Sequence, residues 1–154
     1  MQSTIPCLVY KQGAEEAVQH YVSLIPNSRI TSTVRNPGFT HLSFELDGRP
    51  YTAFDGGETF AFAEGFSLCV SCDTQEEIDR LWEALTADGG EPGRCGWLKD
   101  RWGLSWQIIP AELGTLLGDS DGGNAGAATE AMFKMSKLDL AELRRAYESA
   151  ATPA

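Results

Sequence analysis

Histidine, basic residues and long apolar runs are all scarce in this sequence. Only 2 of its 154 residues are histidine, and 12 Lys and Arg stand against 22 Asp and Glu, for a formal net charge of -10. A nucleic-acid partner would need clustered basic side chains for its phosphates, so this balance argues against one. No apolar run approaches the roughly 20 residues that cross a bilayer, which argues against a membrane partner.

Cysteine is also infrequent, with four residues in the chain. The segment 1–6 lacks the basic and apolar stretches of a secretory signal, so we expect a cytoplasmic protein with reduced thiols. Cys69 and Cys72 have the spacing of a chelating or redox pair, but they fall within a predicted strand at 66–72. Residues three apart on a strand point to opposite faces, which predicts two ordinary thiols that diverge.

The elements that the sequence does contain follow one order twice. A strand, an amphipathic helix and three further strands are predicted at 5–10, 13–24, 29–35, 39–46 and 51–54. After a turn-rich connector the order restarts, with a strand, a helix opened by the capping box Thr74-x-x-Glu77, and a hairpin. This predicts one α+β domain over 1–154, in which module one spans about 4–56 and module two about 65–110.

A helical tail at 111–150 exceeds what the repeated module requires. Helices are predicted at 111–117, 127–135 and 139–148, with a polar, glycine-rich loop at 119–126. We expect the tail to pack on the sheet or on a partner subunit.

The hairpin at 95–110 is the most informative stretch. Two short apolar and aromatic strands flank the turn Asp100-Arg101-Trp102-Gly103, and Pro110 closes the second strand. Together with the segments below, it resembles the PhnB-like group of the vicinal oxygen chelate superfamily, which includes glyoxalases, bleomycin resistance proteins and dioxygenases. The other segments are Ile5-Pro-Cys-Leu, Ala14-Glu-Glu-Ala with Tyr21, Phe44-Glu-Leu-Asp-Gly48, Cys72-Asp-Thr-Gln-Glu-Glu-Ile-Asp79 and Met135-x-Lys-Leu-Asp139.

This resemblance implies paired β-α-β-β-β modules whose sheets curl into an open barrel, within a homodimer. Some members carry the label 3-demethylubiquinone-9 3-methyltransferase. A methyl donor with an adenosyl group usually sits on a glycine-rich turn between a strand and a helix, followed by an acidic residue. The glycine pairs that begin at Gly56, Gly89 and Gly122 are in none of those contexts.

The superfamily also implies a divalent metal, held by a histidine on the first strand of a module and a glutamate on its last. The corresponding positions here are Pro6, Ser67 and Gln107, and near the remaining one only Asp55 is a strong ligand. Neutral side chains do not offset the dehydration of a divalent ion. We therefore expect neither a metal nor another cofactor.

His41 is the candidate catalytic residue, because strand 39–46 alternates. Leu42, Phe44 and Leu46 should meet the helices, leaving His41, Ser43 and Glu45 on the open side. One interpretation makes this row a solvated sheet face. The other makes His41 a proton-transfer or ligand-binding group. A metal shared by His41 and Glu45 would be geometrically strained.

Aromatic side chains from the strands and the connector could line a small-molecule site, and they include Phe60, Phe62 and Trp106. The ligand-binding candidates are Tyr10, His41, Glu45, Phe54, Ser67, Trp97 and Gln107. The first functional hypothesis is a metal-free, homodimeric binder of a small, fairly apolar molecule. The alternative is a metal-dependent enzyme of the glyoxalase or dioxygenase type, with ligands from His41, Glu45, Asp55 or a neighbouring subunit. A methyltransferase is the third hypothesis.

Overall fold

Each half of the chain is built around its own four-stranded mixed sheet, as the α+β prediction requires. The computed structural model describes residues 1–118 and 122–150, so residues 119–121 of the predicted loop lie outside it. Two units are distinguished, Met1–Ala63 and Glu64–Ala154. The elements are β1 (Cys7–Tyr10), α1 (Ala14–Leu24), β2 (Arg29–Asn36), β3 (Phe39–Leu46), β4 (Arg49–Asp55), β5 (Ser67–Cys72), α2 (Gln75–Thr86), a 3-10 turn (Ala87–Gly89), β6 (Glu91–Pro92), β7 (Trp97–Lys99), β8 (Ser105–Pro110), α3 (Leu113–Leu117), α4 (Ala125–Phe133) and α5 (Leu140–Glu148).

In the first unit the strand order is β1-β4-β3-β2. β1 runs parallel to β4, and the other pairs are antiparallel. Asp47 and Gly48 join β3 to β4 with φ angles of 49° and 72°, the positive values that a two-residue hairpin turn requires. The core lies between this sheet and α1, whose buried residues are Ala14, Ala17, Val18 and Tyr21.

The second unit repeats the arrangement with the strand order β5-β8-β7-β6. Its helix α2 begins at the predicted capping box: the Thr74 side chain accepts from the Glu77 amide, and the Glu77 side chain accepts from the Thr74 amide. Apolar residues of α2 pack toward the sheet, and Ile78, Leu81 and Leu85 are buried. The two-residue strand β6 was not predicted, because Glu91-Pro92 has no alternating pattern to mark it.

The carboxylate of Asp100 organises the β7–β8 hairpin from inside the protein. It is only 3% exposed, and its Oδ1 accepts hydrogen bonds from the backbone amides of Trp102 and Leu104, each at 3.0 Å. Its Oδ2 accepts from the indole Nε1 of the buried Trp106 at 2.9 Å. A buried charge is stable when several donors surround it, so this aspartate fixes the turn and the tryptophan together.

The helical tail belongs to the second unit and packs against β8 of its sheet, and the sheet is one of the two positions predicted for it. Leu116, Leu138, Leu140 and Leu143 form a buried cluster against which Ile109 of β8 packs. α4 starts two residues before the predicted helix, because the Asn124 side chain accepts from the Ala127 amide and caps it. Asp139 caps α5 as predicted, by accepting from the Glu142 amide.

The predicted divergence of Cys69 and Cys72 is confirmed, since Cys69 is exposed and Cys72 is buried. Within residues 1–118 and 122–150, helices are too short or too polar to cross a membrane.

Candidate functional site

The outer face of the first sheet carries the row that the sequence singled out. Leu42, Phe44 and Leu46 are buried, whereas His41, Ser43 and Glu45 are half-buried on the opposite face, so the predicted alternation of β3 is confirmed. In the register, His41 is flanked by Phe54 of β4 and Val34 of β2.

Three rings meet on this face. The centroid of the His41 imidazole is 6.2 Å from that of Phe39 and 6.3 Å from that of Phe54, with interplanar angles of 28° and 18°. The centroids of Phe39 and Phe54 are 5.7 Å apart. These separations are typical of offset aromatic packing, so the rings form one continuous aromatic surface. We call Phe39, His41 and Phe54 the ring cluster.

Much of this surface is accessible to solvent. Phe39 is 42% exposed and Val34 is 48% exposed, both high values for large apolar side chains. Exposed apolar groups that lie together, rather than singly, are typical of binding surfaces.

Phe60 of the connector borders the same face. A Cβ added to Gly56 would lie 2.5 Å from both Phe60 Cδ2 and Val9 Cγ1, so the phenyl ring and the valine sit against the glycine backbone. Val9 pairs with Phe54 in the register of β1 and β4. Only glycine leaves room for this packing, which brings Phe60 close to the row that contains the ring cluster.

Polar groups follow the ring cluster along the strands. Ser43 is two residues after His41 on β3 and lies opposite Thr52 of β4. Glu45 is two residues after Ser43 and lies opposite Arg29 of β2. Arg29 Nε is 3.0 Å from Glu45 Oε2, and this hydrogen bond raises the pKa of the Arg29 guanidinium. The face therefore changes from aromatic to hydroxyl-bearing to ion-paired along its length.

Tyr10 does not belong to this face. It is buried on the helix side of β1, where its hydroxyl donates to the Tyr21 hydroxyl at 3.0 Å. Its ring meets that of Phe62 edge-on, with centroids 4.9 Å apart. Alternation along β1 explains this position, because the adjacent Val9 takes the outer side. Trp106 is likewise core, bound to Asp100.

The other ligand-binding candidates lie on the outer face of the second sheet. Gln107 Nε2 donates to Ser67 Oγ at 2.9 Å, and Trp97 and Cys69 both pair with Gln107 in the register. Trp97 is 37% exposed. Cys69 is an exposed residue, but partial desolvation of its sulfur raises the pKa of the thiol. The structure thus brings Ser67, Gln107 and Trp97 together, and it groups His41, Phe54 and Glu45 separately.

The side chains present do not fit the divalent metal that the fold family implies. Ser67 and Gln107 are neutral and hydrogen-bonded to each other, and Pro6 lies before β1 with no donor side chain. Asp55 Oδ1 accepts from the Ala14 amide at 2.8 Å and so caps α1. In the part of the chain that the structure describes, no three His, Cys, Asp or Glu residues are grouped to hold a metal ion.

The strand geometry also separates the two remaining acidic and imidazole candidates. His41 and Glu45 are four residues apart on β3, which places their Cα atoms about 13 Å apart. They cannot share one ion, and Glu45 is paired with Arg29.

Phe39 was not predicted as a contributor to the first face, although it shares the alternation of His41 and its side of the strand could have been read from the sequence. Phe60 was predicted as a possible lining residue of a small-molecule site. Its position beside this face could not be predicted, because it depends on how the irregular connector folds back onto Gly56. What the first face can do chemically is stack an apolar or aromatic group beside an imidazole and a row of hydroxyls.

Comparison with known proteins gives the family. A model of the family described as 3-demethylubiquinone-9 3-methyltransferase matches residues 2–109. The PhnB protein from Bacillus cereus is 31% identical over 71% of this chain and 100% of its own, with a TM-score of 0.66. Among curated proteins there is no match.

More distant structures share the fold. The fosfomycin resistance protein FosX from Listeria monocytogenes is 17% identical over 77% of this chain and 99% of its own, with a TM-score of 0.57. Protein PA1353 from Pseudomonas aeruginosa is 18% identical over 71% of this chain and 98% of its own, with a TM-score of 0.56. The matched region of the family model stops before α3, so the helical tail lies beyond it. The chain belongs to the PhnB-like family described as 3-demethylubiquinone-9 3-methyltransferase.

Proposed function

We propose that this protein is a metal-free, homodimeric binding module for a small, fairly apolar molecule. The observation that carries the proposal is the ring cluster, in which Phe39 is 42% exposed beside His41 and Phe54. A soluble chain with a net charge of -10 gains nothing from exposing aromatic surface unless a ligand or partner covers it. An apolar wall with a few polar groups is what a small-molecule site needs.

His41 supplies the polar group at the centre of this surface. Its two ring nitrogens can donate or accept a hydrogen bond, and the same ring can transfer a proton to or from a bound molecule. We assign binding to the first sheet. On the second sheet we give Ser67, Ser71 and Gln107 a neutral hydrogen-bonding role and Trp97 an apolar one.

Native mass spectrometry of freshly purified, tag-free protein tests the proposal. We expect a dimer that retains a small organic molecule, and we expect His41→Ala or Phe54→Ala to lose it. Protein that retains no organic molecule under any purification condition would contradict the binding function.

The alternative is a metal-dependent enzyme of the glyoxalase or dioxygenase type. One structure of FosX is a complex with manganese(II) and sulfate. For this chain the same chemistry would need ligands recruited from His41, Glu45 or Asp55, or from a second subunit. Elemental analysis separates the two functions: near-stoichiometric divalent metal that is lost in His41→Ala or Asp55→Asn would establish the enzyme.

A methyltransferase is the third candidate, and the description of the family is its support. Calorimetry with S-adenosylmethionine tests it directly. We expect no heat of binding, because no glycine pair of the sequence occupies a strand-to-helix turn followed by an acidic residue.

Homodimerisation has support from the tail as well as from the superfamily. Phe133 at the end of α4 is 61% exposed, and a second subunit could cover this apolar side chain. The tail that carries it lies beyond the matched family region. We further propose modules at 4–56 and 65–110 with a tail at 111–150, in a cytoplasmic protein. A strictly monomeric mass at micromolar concentration would contradict the dimer.

A further inference from the structure

Three features of the first sheet's outer face restrict the chemistry of its ligand. The first is the ring cluster itself, whose centroids are separated by 5.7 to 6.3 Å. Aliphatic side chains could bury as much apolar ligand surface as these rings do. Aromatic side chains add an electrostatic attraction that depends on ring geometry and acts fully only on another aromatic ring. This surface therefore discriminates a planar aromatic group from an aliphatic group of the same size.

The second feature is a hydroxyl row that begins one rung from the rings. Ser43 and Thr52 are register partners, and each is two residues from His41 or Phe54. Two strand residues span about 6.6 Å, which is the length of a short side chain on an aromatic ring. Among residues 1–118 and 122–150, neither hydroxyl has a side-chain hydrogen-bond partner, so both can bind a ligand's polar end.

The third feature is the charge at the far end of the face. The Arg29 guanidinium and the Glu45 carboxylate are 3.0 Å apart, so they largely cancel each other for a ligand that lies on the hydroxyl row. A ligand carboxylate there would gain little from the paired Arg29, and the chain's net charge of -10 would repel it. A neutral polar end avoids this repulsion.

From these features we infer that the molecule bound here is a planar aromatic compound with a short, neutral, hydroxyl-bearing chain. The inference rests on the proposed function and narrows it to one ligand class. The ring packs on Phe39, His41 and Phe54, while the hydroxyl bonds to Ser43 and Thr52. Phe60 packs against Gly56 and so borders the end of the face that carries the ring cluster.

Three probes of similar size test the ligand class by NMR titration of the intact chain. They are 3-phenylpropan-1-ol, 3-cyclohexylpropan-1-ol and 3-phenylpropanoate. We expect the phenyl alcohol to bind about two- to twelvefold more tightly than the cyclohexyl alcohol, the range that an aromatic pair contributes. We also expect it to bind more tightly than the carboxylate. Equal affinity of the two alcohols, or preference for the carboxylate, would overturn the inference.

Matched variants locate the binding. Phe39→Leu keeps an apolar side chain but removes the ring, so it should weaken the phenyl alcohol about two- to twelvefold and leave the cyclohexyl alcohol almost unchanged. Ser43→Ala should weaken both alcohols by a similar factor, because both lose one hydrogen bond. Phe133→Leu and Ser71→Ala change exposed residues of the second unit and should have no effect. Equal losses in these controls would contradict the location.

The outcomes distinguish this inference from the proposed function. If no probe binds but the purified protein retains another small molecule, the ligand class is wrong and the binding function stands. If nothing binds and nothing is retained, both fail. Protection of residues 39–45 from hydrogen exchange that rises with protein concentration would show that a second copy covers the face, which also overturns the inference.

Discussion

The side-chain amide of Gln107 donates to the hydroxyl of Ser67 across 2.9 Å, so two positions on adjacent strands meet at one point. Their separation is short enough for the two side chains to touch the same bound ion, but neither side chain carries charge. The register also places Cys69 opposite Gln107 on the same face. Positions 67 and 107 therefore have the spacing of a pair of metal ligands, but the side chains at both positions are neutral.

The double variant Ser67→His with Gln107→Glu should bind zinc. Imidazole and carboxylate are good zinc ligands, and Cys69 can supply a thiolate beside them. Calorimetry should detect one-to-one binding in the double variant and none in the wild-type protein. Ser67→Ala with Gln107→Glu is the control, because it keeps the new carboxylate and Cys69 but supplies no imidazole beside them. If the control binds zinc equally well, the argument from proximity is wrong.

Asp100→Ala should lower the free energy of unfolding by roughly 3 kcal/mol, since it leaves buried donors without their charged acceptor. Those donors are the amides of Trp102 and Leu104 and the indole of Trp106. Urea denaturation measures the change. Asp100→Asn should lower the free energy of unfolding less, because its amide oxygen can still accept the hydrogen bonds from the amides of Trp102 and Leu104. Equal costs for the two substitutions would show that charge, not hydrogen-bond count, dominates.

Much of the fold could be predicted because local patterns and tertiary packing agree. The capping box at Thr74, the Asp47-Gly48 turn and the alternation of β3 each specify a structure from neighbouring residues alone. The candidate site was harder to predict. Tyr10 was predicted to line a small-molecule site because it is an aromatic residue of a strand. In the structure it is buried and its hydroxyl is hydrogen-bonded to that of Tyr21 in the core. Its side of the strand could not be predicted, because Leu8, Val9 and Tyr10 follow one another without a polar residue to mark the outer face.

Gly56→Ala should displace Phe60 and lower the thermal midpoint. The new Cβ would lie 2.5 Å from Phe60 Cδ2 and Val9 Cγ1, distances that no packed side chain tolerates. Phe60 is 42% exposed and can swing outward, so we expect a loss of roughly 1–2 kcal/mol rather than unfolding. Differential scanning fluorimetry measures it. Gly65→Ala is the matched control, because nothing lies within 4 Å of its added Cβ. A similar loss in both variants would contradict the packing argument, because the entropy effect of Gly→Ala on the unfolded chain is stabilising.

Cys72 should make the protein less stable at high pH. Burial raises the pKa of its thiol from 9.0 to about 11, so the folded state favours the neutral form. This contribution is complete below pH 9 and is lost as the pH rises through 11, because the unfolded chain then ionises first. Urea midpoints measured from pH 8 to pH 11 should fall less in Cys72→Ala than in the wild-type protein. An identical pH dependence of the two proteins would contradict the assignment.

Gln75→Ala should loosen the helical tail without unfolding the second sheet. The Gln75 side chain joins α2 to the tail at two backbone groups: Nε2 donates to the Leu138 carbonyl at 3.0 Å, and Oε1 accepts from the Leu140 amide at 2.8 Å. Losing both bonds should cost about 1–3 kcal/mol of tail docking, and hydrogen exchange at residues 138–143 should accelerate while β8 stays protected. Glu76→Ala, an exposed neighbour on α2, is the control.

Gln75→Glu adds a sharper test, because it keeps the acceptor for Leu140 but places a carboxylate against the Leu138 carbonyl. It should accelerate exchange at least as much as alanine does, and slower exchange than in Gln75→Ala would show that the donated bond contributes little to docking.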